Sequence, residues 1–307
     1  MIEKIKELYA TDLNVLIYGE TGTGKEIIAQ SIHNMSNRKN KPFIAQNCAA
    51  IPENLLESIL FGTTKGSFTG AVDRVGLFEQ ANGGTLLLDE LNSMPIHLQP
   101  KLLRVLEEGC ITRIGSHIEK KVDVKVISTV NVEPTLLIEQ KKLREDLFYR
   151  LCRISVYIPP LRERKEDILF LANHFINVHN FSKNKSAKLS MEVKEIFKRY
   201  RWDGNVRELK NIIESAFDVL KNGKEIKIEH LSCYFVEKLK RLNIIKEDVK
   251  EDKLCNCKYL DLVQSFEKNL IINALKESNG NVSEASKKLR IKRSTLQHKI
   301  KKLMIEY

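Results

Sequence analysis

Residues 13–26 read LNVLIYGETGTGKE. The apolar half of this stretch ends at Tyr18 and meets a glycine, which is typical of a fully buried parallel strand. Gly19, Gly24 and Lys25 then have the spacing of a phosphate-binding loop, whose glycines let backbone N–H groups turn towards an anion. The next helix directs its positive end to the same place. The stretch predicts a nucleotide site, and a glycine-rich turn without a ligand is the alternative.

Two carboxylates supply the metal chemistry that this loop lacks. Glu26 stands where Ser or Thr normally offers a hydroxyl to Mg²⁺, so other groups must hold the metal. Residues 83–90, GGTLLLDE, form an apolar strand that ends in Asp89 and Glu90. Asp89 can organise Mg²⁺ and its waters, and Glu90 can polarise the attacking water. Together with the loop, the two acids predict an NTPase.

Other polar residues also follow predicted strands. Asn47 closes an apolar stretch that begins at Phe43, and Asn131 follows a buried strand predicted over 122–130. Open parallel sheets bind ligands at the carboxyl ends of their strands. We therefore expect Asn47, Thr129 and Asn131 near the nucleotide, with an ordinary turn asparagine as the alternative for Asn47.

Composition narrows the class of protein. The chain has 307 residues, 42% of them apolar, and no apolar run near the roughly 20 residues that span a membrane. No signal peptide precedes the first strand, so we expect a cytoplasmic, soluble protein with no membrane partner. Six cysteines are scattered as small core residues, and Cys255 and Cys257 lack a second ligand pair at zinc spacing. Their role stays open.

The net charge of +11 is concentrated at the C-terminal end. Residues 279–307 contain eight Lys or Arg against two Glu. A short helix over 281–289, a tight turn and a helix over 293–303 predict a helix-turn-helix. In the second of these helices, the inward-facing residues are Leu296, Ile300 and Leu303. The outward-facing candidates for DNA contact are Arg293, Ser294, Gln297, His298 and Lys301.

The remaining motifs lie between these regions. Residues 62–71, GTTKGSFTGA, predict a loop that carries Phe68 outward to a partner, although Phe68 folded back on its own domain is equally compatible. Arg144 and Arg150 lie six apart near a predicted helix. Arg207 opposes the dipole in the first turn of another helix, which predicts an anionic partner.

These motifs resemble the bacterial enhancer-binding proteins, which are sigma-54-dependent transcriptional activators with an AAA+ ATPase domain and a Fis-type helix-turn-helix. The resemblance covers nearly the whole chain. It rests on GETGTGKE at 19–26, NCAAIPENLLESILFG at 47–62, GSFTGA at 66–71, GGTLLLDE at 83–90, LREDLFYRL at 143–151, PPLRER at 159–164 and WDGNVREL at 202–209.

The resemblance implies an α/β fold, an AAA+ P-loop NTPase with a parallel sheet and a helical lid, followed by an all-α helix-turn-helix domain. The implied boundaries are 1–164 for the α/β subdomain, 165–239 for the lid, 240–257 for a linker and 258–307 for the DNA-binding domain. ATP and Mg²⁺ are the implied cofactors. The implied nucleotide-binding residues are Gly19, Glu20, Thr21, Gly22, Thr23, Gly24, Lys25, Glu26, Asp89, Asn131 and Arg207, with Asp89 as the metal residue.

The resemblance also assigns catalytic and partner roles. Asn47 would restrain Glu90 according to nucleotide state, and Arg144 and Arg150 would be arginine fingers that reach the nucleotide of a neighbouring subunit. The site would thus be complete only in a ring, usually a hexamer. The implied sigma-54 contacts are Gly66, Ser67, Phe68, Thr69, Gly70 and Ala71. The implied function is remodelling of the closed promoter complex of sigma-54 RNA polymerase from an enhancer site in double-stranded DNA.

Some positions depart from the family pattern. Thr129-Val130-Asn131 replaces the usual Ala-Thr-Asn, which puts the usual threonine contact in question, and Ser67 replaces a common alanine. The first strand begins about a dozen residues into the chain, so we expect either an activator controlled in trans or the C-terminal part of a longer one. The alternative functions are a nucleotide-controlled repressor that does not act on sigma-54, and an AAA+ chaperone or protease subunit, which the helix-turn-helix disfavours.

Overall fold

The computed structural model describes residues 11–67, 71–183, 186–220, 223–245 and 282–289, together with residues 271, 278, 291, 295–296 and 299–300. These residues fall into two compact units, which divide between Ser232 and Cys233. Each unit is described by itself.

The elements of the first unit alternate between strands and helices. Its strands are β1 Val15–Tyr18, β2 Phe43–Asn47, β3 Gly62–Thr63, β4 Arg74–Val75, β5 Thr85–Asp89, β6 Cys110–Thr112, β7 Glu119–Lys121, β8 Lys125–Val130, β9 Ile154–Tyr157, β10 Lys188–Leu189 and β11 Glu225–Ile226. Its α-helices are α1 Lys25–Met35, α2 Glu53–Phe61, α3 Leu77–Gln80, α4 Gln99–Glu108, α5 Pro134–Glu139, α6 Glu145–Leu151, α7 Lys165–Lys183, α8 Met191–Arg199 and α9 Asn205–Val219. Short 3₁₀ turns cover Cys48–Ala50, Leu91–Ser93, Leu161–Glu163 and Ile228–His230.

A five-stranded parallel sheet in the order β2-β5-β8-β1-β9 is the centre of this unit. Because all five strands are parallel, their carboxyl ends meet at one edge. In register, Asn47 lies beside Asp89, and Tyr18 lies beside Val130. The predicted parallel sheet is confirmed.

The central strands are buried along almost their whole length because helices cover both faces of the sheet. Leu16, Leu86 and Leu88 face one core cluster, whereas Ile17 and Leu87 face the other, as the alternation of a strand requires. Each of these side chains is fully buried, which stabilises the fold by about 1.5–3 kcal/mol apiece.

Helices α7, α8 and α9 follow the sheet and form the helical lid. The only tryptophan of the chain, Trp202, is fully buried in it. Its ring lies edge-on to Phe197 and Tyr200, and its Nε1 donates to the Phe197 carbonyl at 2.8 Å. These contacts fix the turn from which α9 begins.

The second unit begins with α10 Cys233–Arg241, which ends two residues beyond the lid boundary that the sequence suggests. Further along, α11 Val282–Lys288 confirms the short helix predicted over 281–289. Leu296 and Ile300 are buried in a cluster with Ile271 and Ala285, which confirms their inward prediction. No helix within the described part of the chain is long and apolar enough to cross a membrane.

Candidate nucleotide site

The phosphate loop connects β1 to α1, and all of its backbone carbonyls are hydrogen-bonded within the protein. Each carbonyl oxygen of residues 19–24 accepts a hydrogen bond from a protein donor. The carbonyls of Thr21, Gly22 and Thr23 are held by the lid and the segment before it, so the N–H groups of the same peptide units point away from the lid. Gly24, in a left-handed conformation with φ of 99°, caps the first turn of α1 there. The result is a concave array of N–H groups suited to an anion.

Lys25 lies inside this loop, at 8% exposure. Its Nζ donates to the carbonyls of Gly19 at 2.7 Å and Glu20 at 3.0 Å. Burial lowers the pKa of Lys25, while the nearby charges of Asp89 and Glu90 act in the opposite direction. The ammonium group is therefore held at the loop, next to both acids, by neutral carbonyl acceptors that anionic phosphate oxygens can replace.

Asp89 and Glu90 lie at the end of β5, as the sequence predicts, and Thr129 joins them. Thr129 Oγ1 donates to Asp89 Oδ1 at 2.6 Å and accepts from the Glu90 backbone N–H at 3.0 Å. Glu90 itself has a left-handed backbone, with φ of 54°, which is unusual for a non-glycine residue. Thr129 thus orients one carboxylate and the backbone of the other.

Asn47 contacts Asp89 in this structure. Its Nδ2 donates to Asp89 Oδ2 at 3.0 Å, and its Oδ1 caps the 3₁₀ turn by accepting from Ala49 and Ala50. The described contacts of Asn47 do not include Glu90. The expected restraint of Glu90 by Asn47 stays a prediction about another nucleotide state.

The other predicted nucleotide residues lie around the loop. Thr23 is buried and its Oγ1 donates to the Glu20 carbonyl at 2.7 Å, whereas Glu26 is exposed in the first turn of α1. Glycine is required at Gly22, because its φ is +81° and an added Cβ would lie 2.4 Å from the Gly204 carbonyl oxygen. Asn131 is partly buried just beyond β8, and its N–H faces Asn92 Oδ1 at 3.4 Å.

Arg207 reaches the phosphate loop from the lid. The N–H groups of Val206 and Arg207 donate to the Gly22 carbonyl at 3.0 and 3.2 Å. Its positive charge contributes to the lowered pKa of Lys25, so the two cations are near each other. Among the described residues, no carboxylate is ion-paired with the Arg207 guanidinium. The anionic partner that its helix position predicts is therefore not supplied by this part of the chain.

Arg144 and Arg150 lie on α6, outside this site. Arg144 caps α6 and its guanidinium pairs with Asp146, with Nη2 2.6 Å from Oδ2. Arg150 Nε donates to the Leu106 carbonyl at 2.9 Å. Neither guanidinium has a described contact with residues 19–26. The Arg144 side chain is 43% exposed, and the described partner of its guanidinium is the surface carboxylate of Asp146, in a pair of the kind that contributes little in water.

The donor set fits Mg²⁺ in the way that such ions usually bind at nucleotide sites. The described residues contain no cluster of three or more metal-ligating side chains. Asp89 and Glu90 provide carboxylates beside the phosphate loop, and Mg²⁺ is commonly held by one or two carboxylates plus substrate phosphates and water. Asp89 would be the residue that holds the ion, directly or through its waters.

The described residues on either side of the GSFTGA segment belong to a small platform of two antiparallel strand pairs, β3–β4 and β6–β7. Thr64 donates through its N–H and Oγ1 to the Ile114 carbonyl, in the turn between β6 and β7. Of the predicted sigma-54 contacts, Gly66, Ser67 and Ala71 are described. Ala71 is buried, and Ser67 Oγ is buried without a hydrogen-bond partner among the described residues. Phe68, Thr69 and Gly70 lie outside the described residues.

The predicted DNA contacts also lie outside the described residues. They are Arg293, Ser294, Gln297, His298 and Lys301. Cys255 and Cys257 lie outside them as well.

Three family models match successive parts of the chain. The Sigma-54 interaction domain matches residues 1–157, the AAA+ ATPase lid domain matches 162–244, and the Fis family of bacterial regulatory proteins matches 263–303. The parallel sheet, the phosphate loop and the paired acids thus belong to the AAA+ P-loop NTPase fold.

Similar proteins include the transcriptional activator RocR of Bacillus subtilis, 48% identical over 98% of this chain and 66% of RocR. The transcriptional regulator NtrC of Azospirillum brasilense is 38% identical over 98% of this chain and 67% of NtrC. The structure of NtrX from Brucella abortus in complex with ADP has a TM-score of 0.73 at 30% identity, covering 99% of this chain and 67% of NtrX. This chain belongs to the family of sigma-54-dependent transcriptional activators. It spans about half to two thirds of the length of the curated relatives that it matches.

Two sets of contacts at the site were not predicted from the sequence. The first is the hydrogen bond from Thr129 to Asp89, although the pairing of Leu88 with Ser128 puts Thr129 next to Asp89 once the register is known. The second is the set of Arg162 and Asn205, which contact the phosphate loop across more than 140 positions of sequence. No local pattern indicates those partners.

Proposed function

We propose that this chain is an ATPase that assembles into a ring, binds enhancer DNA through its C-terminal domain and remodels the closed promoter complex of sigma-54 RNA polymerase. The observation that carries the proposal is the convergence of Lys25, Asp89 and Glu90 on one phosphate loop, in a chain whose first 157 residues match the Sigma-54 interaction domain. The matched Fis-family segment and the basic C-terminus support double-stranded DNA as a further partner.

In this proposal the residues of one subunit bind ATP and prepare the water. The loop N–H groups and Lys25 bind the phosphates, and Lys25 exchanges its contacts with the loop carbonyls for phosphate oxygens. Mg²⁺ would neutralise charge on the phosphates when held by Asp89. Glu90 orients and polarises the attacking water, because its backbone is fixed beside Asp89 by Thr129. Arg207 approaches the phosphates from the lid.

A neighbouring subunit supplies the remaining positive charge. A transferred phosphoryl group spreads negative charge over its oxygens, and a planar guanidinium stabilises that charge from outside. The described contacts of the Arg144 and Arg150 guanidinium groups do not include residues 19–26 of their own chain, which supports their action on the next subunit. Asp146 holds the Arg144 guanidinium until that subunit is present. The ring, usually a hexamer in the family, would complete the site.

The loop around Phe68 then transmits the reaction to sigma-54. The experiment that tests this step is Phe68→Ala, compared with Phe181→Ala at a 94% exposed phenylalanine of the lid. We expect Phe68→Ala to lose transcription from a sigma-54 promoter and to keep ATP hydrolysis, and we expect the control to keep both. Normal transcription by Phe68→Ala would contradict the proposal. It would favour a regulator that does not act on sigma-54.

A further inference from the structure

Four consecutive residues of the phosphate loop are attached to the lid and to the segment before it. The Glu20 carboxylate accepts from Arg162, and the Thr23 carbonyl accepts from Arg164 Nη2 at 3.0 Å. Between them, the carbonyls of Thr21 and Gly22 accept from residues 205–207 of α9. The loop therefore cannot shift without moving these partners or breaking several hydrogen bonds at once.

Asn205 is the central residue of these attachments. Its side chain is fully buried, and its Nδ2 donates to Glu20 Oε2 at 3.2 Å and to the Thr21 carbonyl at 3.0 Å. Its Oδ1 accepts from the Leu161 N–H at 2.8 Å. The amide thus uses both donors and its acceptor on two separate segments. Its φ of 52° also lies in the left-handed region, which asparagine tolerates better than most residues.

Arg162 fixes the carboxylate that Asn205 contacts. Its two terminal nitrogens donate to the two oxygens of Glu20 at 2.7 and 2.6 Å, a bidentate pairing that sets the plane of the carboxylate. These bonds, more than any other interaction, lower the pKa of Glu20, and Asn205 adds to the effect. Glu20 is therefore an ionised, acceptor-only group at neutral pH.

On its other side, Asn205 is bonded to the core of the lid. Its N–H donates to the Trp202 carbonyl at 2.9 Å, and the Trp202 indole is packed between Phe197 and Tyr200. The Gly204 N–H donates to the carboxylate of Glu208 at 3.0 Å. The turn is thus held from several directions, so displacement of Asn205 displaces α9.

We propose that Glu20 and Asn205 form a positioning joint, through which the phosphate loop sets where the lid holds Arg207. Arg207 lies two residues after Asn205, and its N–H is bonded to Gly22, so the joint and the arginine move together. A change of nucleotide that shifts the loop is then transmitted to the lid. The inference rests on the nucleotide binding proposed for this loop, and neither residue needs to touch the reacting atoms.

The first test is Asn205→Asp. This change keeps the size of the side chain and an acceptor for Leu161, but it turns carboxylate oxygens towards Glu20 and the Thr21 carbonyl. We expect kcat to fall about tenfold or more, since contacts of coupled residues are commonly worth that factor. We also expect loss of the change in Trp202 fluorescence when ADP and Mg²⁺ are added. Trp202 is the only tryptophan, so the signal reports on the lid alone. Asn173→Asp, the same change at an exposed position of α7, is the control and should alter neither readout.

The second test exchanges the two groups. In Glu20→Gln with Asn205→Asp, the new amide at position 20 can donate to the new carboxylate at position 205, so the joint is rebuilt with the opposite polarity. We expect this double variant to hydrolyse ATP at least about fivefold faster than Asn205→Asp and to regain part of the Trp202 response. Rescue by the change at position 20 would show that the loss in Asn205→Asp arises from its contact with the loop, and a returning Trp202 response would show that this contact acts on the lid.

Several results would overturn the joint. They are a normal Trp202 response in Asn205→Asp, or a double variant that hydrolyses ATP no faster than Asn205→Asp. If circular dichroism shows that Asn205→Asp is unfolded, the ATP hydrolysis of the double variant is compared with that of Glu20→Gln alone. A double variant no faster than Glu20→Gln would then overturn the joint. A wild-type chain that binds ADP with a Trp202 response but does not turn over ATP would contradict the proposed function and leave the joint standing. A wild-type chain with no Trp202 response to nucleotide would contradict the joint.

Discussion

Thr129→Val is the substitution that tests most sharply how the two acids are oriented. Valine has the shape of threonine, but it cannot donate to Asp89 Oδ1 or accept from the Glu90 N–H, which lie 2.6 and 3.0 Å from Oγ1. Thr129 is fully buried, so the lost partner cannot simply be replaced from solvent on that side. The change removes the hydroxyl contact and little else.

The magnitude follows from the charge on Asp89. A hydrogen bond to a charged group contributes about 1.5–3 kcal/mol, and a neutral one about 0.5–1.5 kcal/mol. Glu90 is half-buried, and its freed N–H can donate to water. The loss of that contact therefore costs an amount at the lower end of the range for a neutral hydrogen bond. If the loss of orientation appears mainly in the transition state, about 1.4–2.8 kcal/mol gives a fall in kcat of about 10- to 100-fold. KM should change less than about twofold, because the loop and Lys25 keep their contacts.

The assay is steady-state ATP hydrolysis at a protein concentration above which the activity per subunit no longer rises, with two comparison variants. Ser128→Ala removes a neighbouring buried hydroxyl that has no hydrogen-bond partner among the described residues, so it should leave kcat within about twofold. Thr129→Ser restores the hydroxyl and should recover most of the rate. A folded Thr129→Val protein with wild-type kcat, or an equal loss in Ser128→Ala, would contradict this role of the Thr129 hydroxyl.

Three further predictions concern other contacts. Gly22→Ala should abolish binding of fluorescent ADP, because its Cβ would lie 2.4 Å from the Gly204 carbonyl and φ is +81°; tight binding would contradict this. Arg113 lowers the pKa of Glu79, so that pair stabilises the fold above pH 4.5 and loses its effect as pH falls through the lower folded value. In urea unfolding, the stability deficit of Glu79→Gln, about 1 kcal/mol at pH 7, should shrink at low pH; a constant deficit would be evidence against it. Arg293→Ala should weaken binding to an enhancer fragment by about tenfold at fixed salt, and unchanged affinity would exclude it as a base contact.

The fold was predictable because its signals are local. A run of apolar residues ending in Gly19, and another ending in Asp89, are sufficient to place two buried strands and the groups at their ends. Inward-facing Leu296 and Ile300 follow from helical spacing in the same way. These features depend on periodicity within a few residues, which the sequence displays directly.

The contacts that orient the site were not predictable, because they depend on register and on distant segments. Thr129 reaches Asp89 only because β8 pairs with β5 in one particular register. Glu20 and Asn205 are 185 positions apart, and their contact depends on how the lid packs against the loop. Asp146, the partner of Arg144, is only two residues away in the sequence. The sequence does not show whether these two side chains pair, whereas the structure shows that they do.

The proposed active site is built from two subunits, and a mixing experiment decides whether it is shared. Lys25→Ala removes the phosphate-binding lysine and keeps Arg144, whereas Arg144→Ala does the reverse. Each variant alone should hydrolyse little ATP. In an equal mixture, about a quarter of the interfaces of a random ring would pair an intact loop with an intact arginine, so we predict up to about a quarter of wild-type activity. A mixture no more active than its two components, or wild-type activity per subunit that does not rise with protein concentration, would contradict the shared site.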